Sequence, residues 1–127
     1  MFSPIHPLNV IIHSPSIRLI RAAAVLLTLG LFTLGSIPTA GHTFPGAMHW
    51  VAHLATYALI AFAFCLGWQH RLALHIAALV AVIGVIHEVT EIITHSHGFE
   101  IKDVMVNAIG ALIGVAIGKK FQKLLGQ

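Results

Sequence analysis

The chain carries four carboxylate side chains, Glu88, Glu91, Glu100 and Asp103, and all four fall in the single stretch from Gly84 to Gly118. Acids that serve solubility are scattered over a surface. Acids gathered among apolar residues point to a site. Imidazoles accompany them: His87, His95 and His97 lie in the same stretch, and His49 and His53 lie upstream. Carboxylates and imidazoles together can move protons, hold a divalent cation or bind the polar head of a ligand.

The spacing of these residues narrows the chemistry. His87-Glu88-Val89-Thr90-Glu91 is one residue away from the H-E-x-x-H pattern, in which two histidines at i and i+4 bind Zn²⁺ and the glutamate acts as base. Glu91 stands where the second histidine belongs, so the pattern is broken and no metal cofactor is expected. The alternative is a Zn²⁺ site drawn from His53, His87, Glu91, His95 and His97, with Asp103 as a further ligand or orienting group and Glu88 as the candidate catalytic base of a metal-assisted hydrolysis. Serine hydrolysis has no support, because Ser14, Ser16, Ser36 and Ser96 lack a nucleophile elbow.

Something must position these groups, and composition says what. Of 127 residues, 57% are hydrophobic and 9% charged, and the mean hydropathy is +0.91. A soluble domain is less apolar than this, so the natural solvent is a bilayer. No ten-residue alternation suggests a barrel, which leaves helices. The fold class expected is all-α, an integral membrane four-helix bundle. Its helices are expected at about 17–37, 48–67, 72–94 and 101–118, each near the roughly 20 residues that cross a bilayer. Residues 1–16, with Pro4, Pro7 and Pro15, read as an irregular or interfacial leader, and residues 17–127 as one membrane domain. The first helix is expected to be uncleaved, since Pro38 would sit three residues before a signal-peptidase cut after Ala40. The lone Cys65, in an apolar run, reads as a packing residue.

Arg18, Arg21, Arg71, Lys119, Lys120 and Lys123 fall on one side of this topology and Lys102 alone on the other. By the positive-inside rule both termini are then cytoplasmic, and the first and third loops face outward. The net charge of +3 reflects this asymmetry; no basic patch with interleaved aromatics suggests nucleic acid.

Helical periodicity collects the polar groups. His49, His53 and Tyr57 recur at i, i+4 and i+8 on the second helix; Glu88 and Glu91 share a face of the third; Asp103, Asn107, Gly110, Gly114 and Gly118 form one stripe on the fourth. At 1.5 Å of rise per residue, His53, Glu88 and Asn107 lie roughly 8 to 10 Å inside their helix ends, in a common plane. The expected pocket is therefore His49, His53, Tyr57, Glu88, Glu91, Asp103 and Asn107. The glycines supply a helix-packing seam. The same polar residues would serve equally as an interhelical hydrogen-bond network that fixes register.

In order along the chain stand Ser36-x-Pro38, His53-x-x-x-Tyr57, Glu88, and Asp103-x-x-x-Asn107-x-x-Gly110-x-x-x-Gly114. This series, running through most of the chain from about Arg18 to Lys120, resembles the VanZ-like family of small bacterial membrane proteins associated with glycopeptide (teicoplanin) antibiotic resistance. The resemblance implies a multi-pass protein of the bacterial inner membrane with a shared polar site. The chain departs from the family pattern in four places. His49 and Trp50 replace an Asp-Lys pair, Glu91 replaces a Gln, and His97 replaces an Arg. Fixed cations are thereby exchanged for titratable imidazoles.

The function expected is non-enzymatic: an outward-facing intramembrane pocket that binds a lipid, lipid-linked or cell-envelope molecule. The alternatives are the metal-assisted hydrolase above and an accessory subunit, or homo-oligomer, of a larger membrane complex that docks through the glycine seam.

Overall fold

The computed structural model describes residues 15–40, 43–95 and 98–126. The expected leader falls almost wholly outside these, as do His42, Ser96 and His97. Four helices make up the described chain, α1 (Pro15–Gly35), α2 (Ala47–Gly67), α3 (Ala73–His95) and α4 (Ile101–Leu124). No strand occurs among the described residues. Each helix has at least 21 residues and is apolar enough to cross a membrane. The protein is an all-α, multi-pass membrane bundle.

Large apolar side chains cover the outside of every helix, among them Leu26 on α1, Leu59 on α2, Leu79 on α3 and Leu112 on α4. Such a surface is stable only against lipid. The bundle runs up and down, so both ends of the described chain meet at one end of it. There Arg21 of α1 donates from Nε to the Gly67 carbonyl at 2.8 Å and lies 5.4 Å from the centre of the Trp68 ring. Lys119 of α4 donates to the carbonyls of Gln69 at 3.1 Å and Arg71 at 3.0 Å. Basic side chains thus satisfy carbonyls at the end of α2 and in the connection that follows it. Lys102 lies at the opposite end, 5.7 Å from the Trp50 ring.

The closest pair is α2 and α4, which run parallel. Glycine makes this possible. A Cβ on Gly110 would meet the Leu54 carbonyl oxygen at 2.6 Å, one on Gly118 would meet the Cys65 Cβ at 2.8 Å, and one on Gly114 would overlap the Ala58 carbonyl. Backbones this close gain dispersion along the whole seam, the main source of helix association in lipid. Around it Tyr57, Ile60, Ala61, Cys65, Val80, Ala111 and Val115 form the buried core. The seam is used within the chain, so it offers no docking face to an accessory partner. By contrast α1 is peripheral, with only Ile17, Ala24 and Gly35 buried.

The helix limits agree with the sequence reading to within two residues except at the end of α4, which continues from the expected stop at Gly118 to Leu124. The apolar run ends at Gly118, but the Lys, Gln and Leu residues that follow are good helix formers. The stop signal is Gly126, whose φ of 74° lies in the left-handed region that favours glycine. The extension has partners: Gln122 donates from Nε2 to the Cys65 carbonyl at 2.7 Å, and Phe121 meets Phe62 edge-on at 5.9 Å.

Candidate functional site

The polar residues gather at the end of the bundle opposite the ends of the described chain. Because α2 and α4 run parallel, residues spaced by four on one helix meet residues spaced by four on the other. His49 lies 2.9 Å from Asp103, Nε2 to Oδ2, and one turn deeper His53 lies 2.9 Å from Asn107, Nδ1 to Oδ1. The glycine seam continues the same stripe into the membrane, so close packing below holds these pairs in register above.

The second pair fixes a tautomer. Asn107 Oδ1 can only accept, so His53 Nδ1 donates and Nε2 keeps its lone pair. The two imidazoles lie 4.4 Å apart, centre to centre, and tilted. Asp103 is buried at 2% exposure. It stands in the first turn of α4, where the helix dipole favours negative charge.

Glu88 is fully buried on α3 and reaches the same helix terminus. Its Oε1 accepts the backbone N–H of Glu100, the residue preceding α4, at 2.8 Å. Two of the four acids therefore converge on the positive end of one helix, which is a physical reason for the cluster in the sequence. Glu88 lines neither cavity described below; through this hydrogen bond it tethers the α3–α4 connection. Replacing it should show this. Glu88→Leu is expected to cost about 1 to 3 kcal/mol, the range for an orphaned buried donor, and to speed hydrogen exchange of residues 100–103. Glu88→Gln, which keeps an acceptor oxygen, should change both far less. Exchange mass spectrometry in detergent reads the difference.

The remaining residues divide. His87, also buried, places Nδ1 3.8 Å from Glu91 Oε2. Its ring sits against Gly35, where a Cβ would overlap Nε2, and meets Phe32 edge-on at 5.5 Å. Tyr57 is fully buried, with ring centres 6.3 Å from both His53 and His87. His95 turns away, its Nε2 3.1 Å from the Ile37 carbonyl oxygen. Of the residues considered for a metal, His53, His87 and Glu91 are in the cluster, His95 is bound to the α1–α2 connection, and His97 lies outside the described residues.

Six buried side-chain polar atoms have no hydrogen-bond partner among the described residues: Tyr57 Oη, both ring nitrogens of His87, Glu88 Oε2, Asp103 Oδ1 and Asn107 Nδ2. Orphans of this kind are rare in native interiors and call for water, an ion or a ligand.

Two cavities open beside the cluster. One, of about 760 Å³, lies between α1 and α2; its walls are apolar, with Leu26, Leu27, Leu31 and Leu34 opposite Ala52, Leu59 and Ile60, and its polar margin is His49, His53, Thr56, Tyr57, His87 and Glu91. The other, of about 660 Å³, lies at the end of the bundle among Pro38, Phe44, Trp50, Thr94, Glu100 and Asp103. His49, Glu91 and Phe44 line both. This space was not legible in the sequence. It exists because α1 packs loosely and carries Ala23, Gly30 and Gly35 on its inner side.

No family model matches this chain, and no curated protein or solved structure matches it either.

Proposed function

We propose that this membrane protein binds an amphiphile, with its polar head among His49, Glu91 and Asp103 and its apolar tail along the groove between α1 and α2. One observation carries the reading: two cavities, one largely apolar and one more polar, meet at the same three residues, Phe44, His49 and Glu91. A pocket with apolar walls and a few convergent polar groups is the usual form of a small-molecule site. Here the apolar part runs along the bundle flank, the direction from which a lipid tail would enter.

The order and spacing of Ser36, Pro38, His53, Tyr57, Glu88, Asp103, Asn107, Gly110 and Gly114 support placing the chain with VanZ-like proteins. The distribution of basic residues supports an orientation with both termini in the cytoplasm, and hence a pocket opening on the outer side of a bacterial inner membrane. On this reading the ligand is a lipid or lipid-linked envelope molecule, and an effect on envelope-directed antibiotics follows from its capture.

The test is to fill the groove. Ala52 lines it and is half-buried. Ala52→Phe is expected to lower the phospholipid recovered with gently solubilised protein, measured by native mass spectrometry, by tenfold or more, while the helical circular dichroism stays unchanged. Equal recovery from both proteins would count against the pocket.

A further inference from the structure

We propose that His49, His53 and Asp103 form a binding site for one divalent transition-metal cation, with Zn²⁺ the best match to the donor set. Each residue offers one ligand atom, and these atoms all lie within 4.8 Å of one another. Two imidazoles and one carboxylate suit Zn²⁺, whereas Mg²⁺ and Ca²⁺ prefer all-oxygen shells and Cu(I) prefers sulfur.

Three further observations point to a cation. Asp103 is 2% exposed, yet its Oδ1 has no partner among the described residues. A buried carboxylate with a vacant acceptor is stabilised by positive charge. His53 is held in one tautomer, because its Nδ1 donates to Asn107 Oδ1 at 2.9 Å and this leaves a lone pair on Nε2, an arrangement common around bound zinc. His49 borders both cavities, so a cation has a path of entry and a fourth coordination position open to water or ligand.

Coordination replaces the proton that His49 Nε2 now shares with Asp103 Oδ2 across 2.9 Å. With metal–ligand bonds near 2.0 to 2.2 Å, two tetrahedral ligands stand roughly 3.4 Å apart. The pair therefore opens by only a few tenths of an ångström. The other imidazole–carboxylate pair, His87 with Glu91 at 3.8 Å, belongs to no such three-ligand group among the described residues.

The site needs no amphiphile, so its test uses the metal alone. Purified protein, stripped with chelator and dialysed, is titrated with Zn²⁺ by calorimetry and with Co²⁺ by visible absorption. The expected result is one equivalent bound, with the intense visible bands of four-coordinate Co²⁺. Asp103→Asn and His53→Gln should each weaken binding by about a hundredfold or more. Asn107→Ala, which releases the orienting contact, should weaken it by about 10- to 100-fold, and His75→Gln, exposed at the other end of α3, should leave it unchanged. Less than stoichiometric uptake by the unaltered protein, or Co²⁺ bands of the weak six-coordinate type, would overturn the proposal whether or not the variants fold. Folded variants that bind as tightly as the parent would overturn it too.

Discussion

Gly114→Val is expected to abolish the folded bundle. Even the first atom of the new side chain would overlap the Ala58 carbonyl, and that carbonyl is helix backbone, which cannot turn aside. The two helices would have to separate, and the separation would run along the seam through Gly110 and Gly118. Overpacking of an ordinary core costs about 1 to 3 kcal/mol; a backbone clash at the closest helix pair belongs at or above the top of that range. The damage would also reach the site, since His49 and His53 stand on α2 while Asp103 and Asn107 stand on α4. Gly30 is the control. A Cβ there meets nothing within 4 Å, so Gly30→Ala should be neutral or gain up to about 1 kcal/mol from helix propensity. Unfolding by SDS titration in mild detergent measures both.

His49→Leu is expected to be the most damaging single change at the polar end, and Asp103→Leu placed on top of it should restore most of the loss. Asp103 is 3% exposed at its side chain and His49 is 29% exposed. Removing the histidine leaves a buried carboxylate without its partner, a situation that costs about 3 to 5 kcal/mol. Removing both leaves two apolar side chains in its place, which is often neutral or stabilising. The neutral pair His53 and Asn107 sets the scale for comparison, since interhelical hydrogen bonds in membranes average about 0.6 kcal/mol. A double-mutant cycle on His49 and Asp103 that returned a coupling as small as this would mean that the pair is ordinary interhelical glue.

Much of this was legible in the residues themselves. Four apolar runs with short polar connections gave four helices, because a bilayer leaves the backbone no other open choice. Recurrence at every fourth position put His49, His53 and Tyr57 on one face and Asp103 and Asn107 on another, and the helical period alone makes this visible. What periodicity cannot supply is the partner across the gap. That His49 meets Asp103 and His53 meets Asn107 depends on the parallel register of α2 and α4, which the glycine contacts set. Glu88 was harder still. Beside His87 and on one face with Glu91 it suggested a base; its contact with the backbone N–H of Glu100, twelve residues on, was not legible, because no side-chain pattern reports a backbone donor. The end of α4 shows a different limit: the edge of an apolar run marks where lipid ends, and the helix ends at its own signal, Gly126.

The groove was invisible for a related reason. Space arises where packing stops, and α1 presents small residues to α2 without the tight glycine seam that joins α2 to α4. The buried polar atoms left without partners beside it are a consequence of side-chain placement in three dimensions, as is the three-ligand cluster of His49, His53 and Asp103. His49 owes its place in that cluster to Asp103, 54 positions away in sequence.

The groove is proposed to hold a defined amphiphile, as distinct from the lipid that coats any membrane protein. Site-specific photo-crosslinking tests it most directly, with the reactive group placed at Thr56 inside the groove and at Leu79 and Leu112 on the exposed outer faces of α3 and α4. One or a few discrete adduct masses are expected at Thr56, and a spread matching bulk membrane composition at the other two positions. The same spread at all three positions would contradict the proposal.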